Sequence, residues 1–259
     1  MHPFFPIFGR DLPAYSLMML LGAALGIGLS VLLAKRRKYP LNDQLYAELY
    51  AIVGVIVGGI GLYILTMIPA IIEHAGVIFA SFENFVTLFP MGIVFYGGLI
   101  GGVTGAFIYI RHYKASAAQI LECAAPAIPL AHGVGRVGCY LAGCCYGAPT
   151  DGPLGVIYPP ASLGAPPGVP LLPTPLFEAG LNVLLCAALL CYVLRRPGKG
   201  YRALGLYLMA YAVERFTLEF WRGDAVRGFV LGLSTSQLIS LLLLPVGLLF
   251  VVKFGKKRT

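Results

Sequence analysis

Three groups of residues in this sequence combine types and spacings that could do chemistry. The first is His132-Gly-Val-Gly-Arg136-Val-Gly-Cys139-Tyr140-Leu-Ala-Gly143-Cys144-Cys145-Tyr146-Gly147. Its glycines permit tight turns and the close approach of a ligand. Arg136 stands among apolar residues, where a guanidinium is costly unless it is paired or solvated. It reads either as a snorkelling arginine at a helix end or as a clamp for a lipid phosphate, to which it offers bidentate donors. The second group runs from Tyr211 to Asp224 and holds Arg215, Glu219 and Arg222 at i, i+4 and i+7, one face of a helix. Ionisable groups inside an apolar helix form a structural ion-pair ladder or a functional site. The third, Phe95-Tyr96-Gly97-Gly98-Leu-Ile-Gly101-Gly102, offers small residues that either pack helices closely or line a substrate.

Cys139, Cys144 and Cys145 make a C-x4-C-C cluster beside Arg136. One reading is a disulfide bracing a loop in an oxidising compartment. Another is a catalytic or redox thiol whose thiolate is stabilised by a nearby cation. A third is a metal site completed by His132, although the spacing is not that of common zinc modules. Cys123, Cys186 and Cys191 fall in apolar helical stretches and read as small core residues.

These groups need elements to hold them, and composition says what kind. Of 259 residues 58% are hydrophobic and only 12% charged, about half the charge of a soluble domain. Lipid as solvent accounts for the deficit. Spans of roughly 20 apolar residues are expected at about 14–34, 49–72, 91–110, 115–131, 175–194, 202–221 and 235–252, each helical because lipid leaves no partner for free backbone groups. The first run is too long for a cleaved leader and ends in Lys35-Arg36-Arg37-Lys38. With the amino terminus outside, inner segments collect 14 of the 19 basic residues, a bias that seven spans satisfy and an even number does not. The fold expected is therefore an all-α integral membrane protein. It has seven transmembrane helices, a cytoplasmic carboxyl terminus, a single polytopic domain over 1–259 and a long outer loop over 132–174. The net charge of +8 is explained by this topology rather than by nucleic acid.

At these motifs the sequence resembles the phosphatidylglycerol–prolipoprotein diacylglyceryl transferases. The family signature, Gly-Arg-x-Gly-Asn-Phe-x-Asn-x-Glu-x-x-Gly, corresponds to Gly135-Arg136-Val-Gly138-Cys139-Tyr140-Leu-Ala142-Gly143-Cys144-Cys145-Tyr146-Gly147. Further likeness lies at Tyr15, Phe95 to Gly101, Pro173-Thr-Pro-Leu-Phe-Glu178, Arg215 to Arg222 and Leu231 to Leu238. The chain departs from the pattern in carrying Tyr96 where the family has histidine, Leu172 for another histidine, and Cys139, Ala142 and Cys144 for two asparagines and a glutamate.

The resemblance implies a transferase of the bacterial inner membrane, acting in lipoprotein biosynthesis. It moves a diacylglyceryl group from phosphatidylglycerol to a cysteine thiol of a lipoprotein precursor, or to another thiol in a divergent relative. It implies catalytic roles for Arg136, Arg215 and Glu219. Tyr96, Cys139 and Cys144 stand as further catalytic candidates, and Tyr15, Gly97, Gly98, His132, Arg222 and Gln237 as substrate-binding ones. No metal or organic cofactor is required by this scheme. Tyrosine ordinarily titrates near 10, so Tyr96 is a poor substitute for a histidine base. The alternatives are a membrane thiol–disulfide oxidoreductase and a phospholipid-binding protein without catalysis.

Overall fold

The computed structural model describes residues 3–7, 9–78, 80–86, 94–223, 229–230 and 232–254. Of the residues singled out above, 91–93, Asp224 and Leu231 lie outside the described ones. The order is a hairpin of β1 (Phe4–Ile7) and β2 (Arg10–Pro13), then α1 (Ala14–Arg37), α2 (Leu41–Glu73) and the short α3 (Ala75–Ile78) and α4 (Phe82–Val86). There follow α5 (Phe95–Tyr113), α6 (Ala117–Ala142), an antiparallel pair β3 (Val156–Ile157) and β4 (Pro170–Leu171), α7 (Thr174–Arg195) and α8 (Gly200–Leu218). A 3-10 turn at Glu219–Trp221, a second antiparallel pair β5 (Phe229–Val230) and β6 (Leu233–Ser234), and α9 (Thr235–Val252) complete it. Among the described residues α1, α2, α7 and α9 are each long and apolar enough to cross a membrane.

Among the described residues each expected apolar run is largely helical, with bounds shifted by capping and by packing. The largest shift is in α6, which continues to Ala142 instead of stopping near residue 131. His132, Arg136 and Cys139 therefore sit on a helix and not at the start of a loop. Glycine disfavours helix by about 1 kcal/mol against alanine, and Gly133, Gly135 and Gly138 made this stretch read as irregular. Their value is close approach: Gly135 lies against Met19 and Gly138 against Tyr15 and Met18 of α1, where a Cβ would collide. The irregular stretch is thus 143–173, and it is packed, with Tyr158, Ala165 and Leu171 buried together.

The chain divides into two compact units, Pro40–Ala117 and Met1–Tyr39 with Ala118–Thr259. Within the first, α2 and α5 share a seam of glycines, Gly54 and Gly58 on one and Gly97, Gly101 and Gly105 on the other. A Cβ on Gly54 or Gly101 would fall against the other's carbonyl oxygen. Both rows repeat every four residues, the small-xxx-small spacing by which helices approach in lipid. The Tyr109 hydroxyl adds a bond to Asp43 at 2.9 Å.

The second unit is apolar outside and small or polar inside. Leu20, Leu184 and Leu242 are about two-thirds exposed, whereas Ala14, Ala34, Cys123, Ala125, Ala203 and Ala212 are buried with Ser30, Glu122, Glu178, Asn182 and Ser240. In a lipid solvent leucine gains little by burial, so helix contacts go to small residues and hydrogen bonds. Cys123 and Cys186 are buried as expected; Cys191 is exposed, because the period of α7 turns it outward. One end of this unit is tied by Glu122, which takes Arg37 at 3.2 Å, the Tyr39 hydroxyl at 3.2 Å and the Gly198 N–H at 2.6 Å. Arg37 also donates to the Val193 carbonyl.

Candidate active site

Three helices of the larger unit, α6, α7 and α8, carry buried ionisable groups, and α9 adds a serine. On α6, His132, Arg136 and Cys139 follow the i, i+4, i+7 spacing and share a face. Arg136 Nε donates to His132 Nε2 at 3.1 Å, so the imidazole is the neutral Nδ1–H tautomer in this arrangement. The same Nε lies 2.9 Å from Glu178 Oε1 of α7, and Arg136 Nη1 is 3.9 Å from Cys139 Sγ. Glu178 also faces His132 Nε2 at 3.5 Å and is itself only 3% exposed. A buried carboxylate in that position neutralises a guanidinium that would otherwise be uncompensated.

One helical turn along α7, Asn182 divides its amide between the Glu178 carbonyl at 2.9 Å and Glu214 Oε1 of α8 at 2.7 Å. Next on α8 is Arg215, whose Nη2 donates to Ser236 Oγ of α9 at 2.9 Å and lies 2.6 Å from Glu219 Oε2. Both charges of that pair are less than a tenth exposed. Arg215 Nη1 is buried and has no hydrogen-bond partner among the described residues.

The helix that carries Arg215 ends at Leu218, and the chain tightens into the 3-10 turn before extending at Arg222. The shared face expected for Arg215, Glu219 and Arg222 therefore holds only for the first two. Arg222 leaves the helix and pairs as an antiparallel bridge with Gly147. Around this bridge Gly147 N–H donates to Leu172 O, Ala148 N–H to Trp221 O and Gly223 N–H to Tyr146 O. These bonds fasten the segment after α6 to the segment after α8 and bring Arg222 beside Cys145.

The three clustered cysteines are free thiols whose Sγ atoms all lie within 4.8 Å of one another. His132 is not among them, so the metal set imagined with His132 does not assemble. Cys139 is buried; Cys144 and Cys145 are half-buried. The Cys145 thiol is held below its ordinary range, chiefly by hydrogen bonds from Cys139 and Cys144 and further by Arg222. Cys144, hydrogen-bonded to Cys139 and Cys145, is pushed up.

The remaining candidates fall as follows. Tyr15, at the start of α1, is part-exposed and packs on the Gly138 backbone. Gln237 is committed to a helix end: its Oε1 accepts from Ser234 N–H at 3.0 Å and its own N–H donates to Ser234 Oγ at 3.2 Å, a reciprocal capping box for α9. Tyr96, Gly97 and Gly98 belong to the smaller unit. There Tyr96 is part-exposed and packs edge-on against Phe95, while Gly97 meets Gly58 and Leu62 of α2, and Gly98 meets Val55. Glu178, Asn182 and Glu214 carried no assigned role in the sequence reading, yet they join the helices. Their signal is a polar residue inside an apolar run, Thr174-Pro-Leu-Phe-Glu178-Ala-Gly-Leu-Asn182-Val-Leu-Leu, with acid and amide one turn apart.

A family profile described as prolipoprotein diacylglyceryl transferase matches residues 3–253. The phosphatidylglycerol–prolipoprotein diacylglyceryl transferase 2 of Clostridium perfringens (strain 13 / Type A) is 37% identical over 243 residues, 94% of this chain and 91% of its own. A phosphatidylglycerol–prolipoprotein diacylglyceryl transferase of Clostridium tetani is 36% identical over 254 residues, 98% of this chain and 97% of its own. One from Legionella pneumophila (strain Paris) is 32% identical over 241 residues, 90% and 89% respectively.

Proposed function

The chain belongs to the prolipoprotein diacylglyceryl transferase family, and from that premise we propose how its own residues perform the transfer. The enzyme moves a diacylglyceryl group from phosphatidylglycerol to the cysteine thiol of a lipoprotein precursor. A C–S bond forms at the glyceryl carbon, the C–O bond to phosphate breaks, and glycerol phosphate leaves with the electron pair. The thiol proton is lost.

The observation that carries this reading is the Nη1 of Arg215, buried and unpartnered among the described residues, beside an Nη2 already fixed by Glu219 and Ser236. A guanidinium oriented in advance, with one N–H left free in a dry site, is suited to the charge that grows on a departing phosphate. Glu219 orients Arg215, and Glu178 does the same for Arg136. The Nη side of Arg136 is the second donor to the phosphate. His132 meets Arg136 at the same Nε that faces Glu178, and Tyr15 and Arg222 line the region.

Tyr96, standing where the family carries histidine, is assigned to the reacting centre on its place in the motif alone. Gly97 and Gly98 act through the helix seam, and Gln237 through the cap of α9. The enzyme works as a seven-span protein of the bacterial inner membrane, amino terminus outside, with the 143–173 segment on the outer side. The basic clusters after α1, α5, α7 and α9 support that orientation.

The test is purified protein in nanodiscs with phosphatidylglycerol and a lipobox cysteine peptide, read by mass spectrometry for the diacylglyceryl thioether and for glycerol phosphate. Both are expected, and both are expected to vanish in Arg215→Ala. Bound phosphatidylglycerol with neither product would instead establish a lipid-binding protein without catalysis.

A further inference from the structure

Cys139, Cys144 and Cys145 are left unused by that scheme, and helix capping explains only part of their meeting. At the end of α6, Gly143 has φ of +71°, its N–H donates to Tyr140 O at 3.2 Å, and Cys144 N–H donates to Cys139 O at 3.1 Å. This is a Schellman closure, and it sets the side chain of Cys144 over that of Cys139 as a matter of course. Nothing in the motif calls for a third sulfur. Cys145 is added by separate means. It holds a left-handed conformation, φ +59°, in spite of its Cβ, and its carbonyl is pinned by the Thr174 hydroxyl at 2.9 Å. The bridge from Gly147 to Arg222 then fixes the strand that follows.

The surroundings suit thiolates better than thiols. Arg136 Nη1 is 3.9 Å from Cys139 Sγ, and the Arg222 side chain bonds Cys145. Packing three small apolar side chains would not require two guanidinium groups at their sulfur atoms.

We propose that Cys139, Cys144 and Cys145 form a three-thiolate site for a zinc-class d10 divalent cation, with the fourth tetrahedral position open to the acceptor thiol. Zinc–sulfur bonds of about 2.3 Å place tetrahedral sulfurs about 3.8 Å apart. The three Sγ atoms, already within 4.8 Å of one another, need move by less than about 1 Å to reach that separation. Three thiolates around a doubly charged ion carry one net negative charge, which Arg136 and Arg222 offset. Among the described residues no fourth histidine, cysteine or carboxylate joins the group, and three protein ligands with one open position is the arrangement of a catalytic site, not of a structural one.

The role of the open position rests on the transfer reaction proposed above. When the precursor's cysteine binds there, its S–H gives up a proton to water and the sulfur is held as thiolate. That sulfur attacks the glyceryl carbon as the C–O bond breaks, and the neutral thioether product, a weaker ligand, leaves. The ion thereby supplies the thiol activation that Tyr96 is ill suited to provide.

The experiment uses the reduced, chelator-stripped full chain in nanodiscs, titrated with Zn2+ alone against a chromophoric chelator. One zinc per chain is expected. The same addition should protect Cys139, Cys144 and Cys145 from the alkylation they undergo in the metal-free chain, a readout on the unmodified chain that needs no variant to fold. Affinity should fall at least 100-fold in Cys144→Ser and in the triple serine variant, and diacylglyceryl transfer should be lost on chelation and return with zinc. Absence of stoichiometric binding by the reduced chain, unchanged binding by the triple variant, or a disulfide among the three in the isolated protein would each overturn the site. Full transfer by the metal-free chain would overturn the activating role. A chain that binds one zinc through these thiols but transfers nothing supports the site and counts against the family reaction.

Discussion

Replacing Glu178 tests whether Arg136 is positioned by its carboxylate or merely accompanied by it. The two groups are 2.9 Å apart, with Glu178 3% and Arg136 17% exposed. At an effective dielectric near 20 the gross attraction at this distance is about 6 kcal/mol, most of it spent on desolvating both charges. What the variant reads is the cost of stranding Arg136. Glu178→Ala leaves a buried guanidinium without its anion, about 3–5 kcal/mol. Glu178→Gln keeps an oxygen in place and gives up only the charge-assisted part, roughly 2 kcal/mol by the difference between charged and neutral hydrogen bonds. If that loss is felt in the transition state, kcat/KM for transfer to a lipobox peptide falls about 30-fold in Glu178→Gln. It falls further, with a lower unfolding temperature, in Glu178→Ala. Arg136→Gln combined with Glu178→Gln should be more stable than the sum of the single changes, because removing both charges removes the stranded one. Strict additivity in that cycle, together with wild-type kcat/KM for Glu178→Gln, would refute the positioning argument.

Four further outcomes follow from the structure. Arg215→Lys keeps the charge but loses the planar fork that serves Glu219, Ser236 and a third acceptor at once; transfer should drop by about 100-fold or more, corresponding to about 2.7 kcal/mol or more. Ser236→Ala, which removes one hydrogen bond to a charged group, should cost about tenfold in the same assay. In the α2–α5 seam, Gly101→Ala drives a Cβ into a backbone carbonyl and should lower the unfolding temperature in nanodiscs severely. Gly98→Ala meets the Val55 side chain at 3.3 Å and the Val55 carbonyl oxygen at 3.4 Å, both near ordinary contact, and should be mild; equal effects would remove the seam as the reason for these glycines. Tyr39, between α1 and α2, has its pKa raised from 10.0 to about 12 by burial and then by Glu122. Because the folded state disfavours the phenolate, stability is fully present below pH 10 and is lost as pH rises from 10 toward 12. Tyr39→Phe should flatten that part of the stability profile, and an unchanged slope would contradict it.

Much of the helical framework was legible because a membrane-type helix announces itself by an apolar run whose length is set by the solvent, not by its neighbours. Residues 235–252 and 175–194 were bounded almost to the residue for that reason. The end of α6 was not legible, since what makes 132–142 helical is the face of α1 that its glycines meet, and no local pattern in the chain encodes a neighbour. Arg222 was misplaced by extending a helical period through Glu219–Trp221, where the chain tightens and turns toward Gly147. Period alone cannot register that change of hydrogen bonding.

The site was half legible for a related reason. Arg136, Arg215 and Glu219 stand out because a charge in an apolar run demands a partner, but the sequence names the demand without naming who meets it. Glu178 answers Arg136 from a different helix and Asn182 answers Glu214, and only the packing of α6, α7 and α8 makes their spacing meaningful. The cysteine cluster carries the argument one step further. C-x4-C-C is not a spacing that common zinc modules use, and from spacing alone a metal deserved little weight. The convergence comes from two backbone events that spacing does not express, a Schellman closure at Gly143 and a left-handed Cys145. A chain that carries Cys139 and Cys144 where the family signature has asparagine and glutamate, adds a third thiol at Cys145, and holds two guanidinium groups against the sulfurs has replaced one means of handling charge with another. Whether that means is a metal ion is what the zinc titration decides, and the loss of alkylation at the three thiols on zinc addition decides it without any mutation.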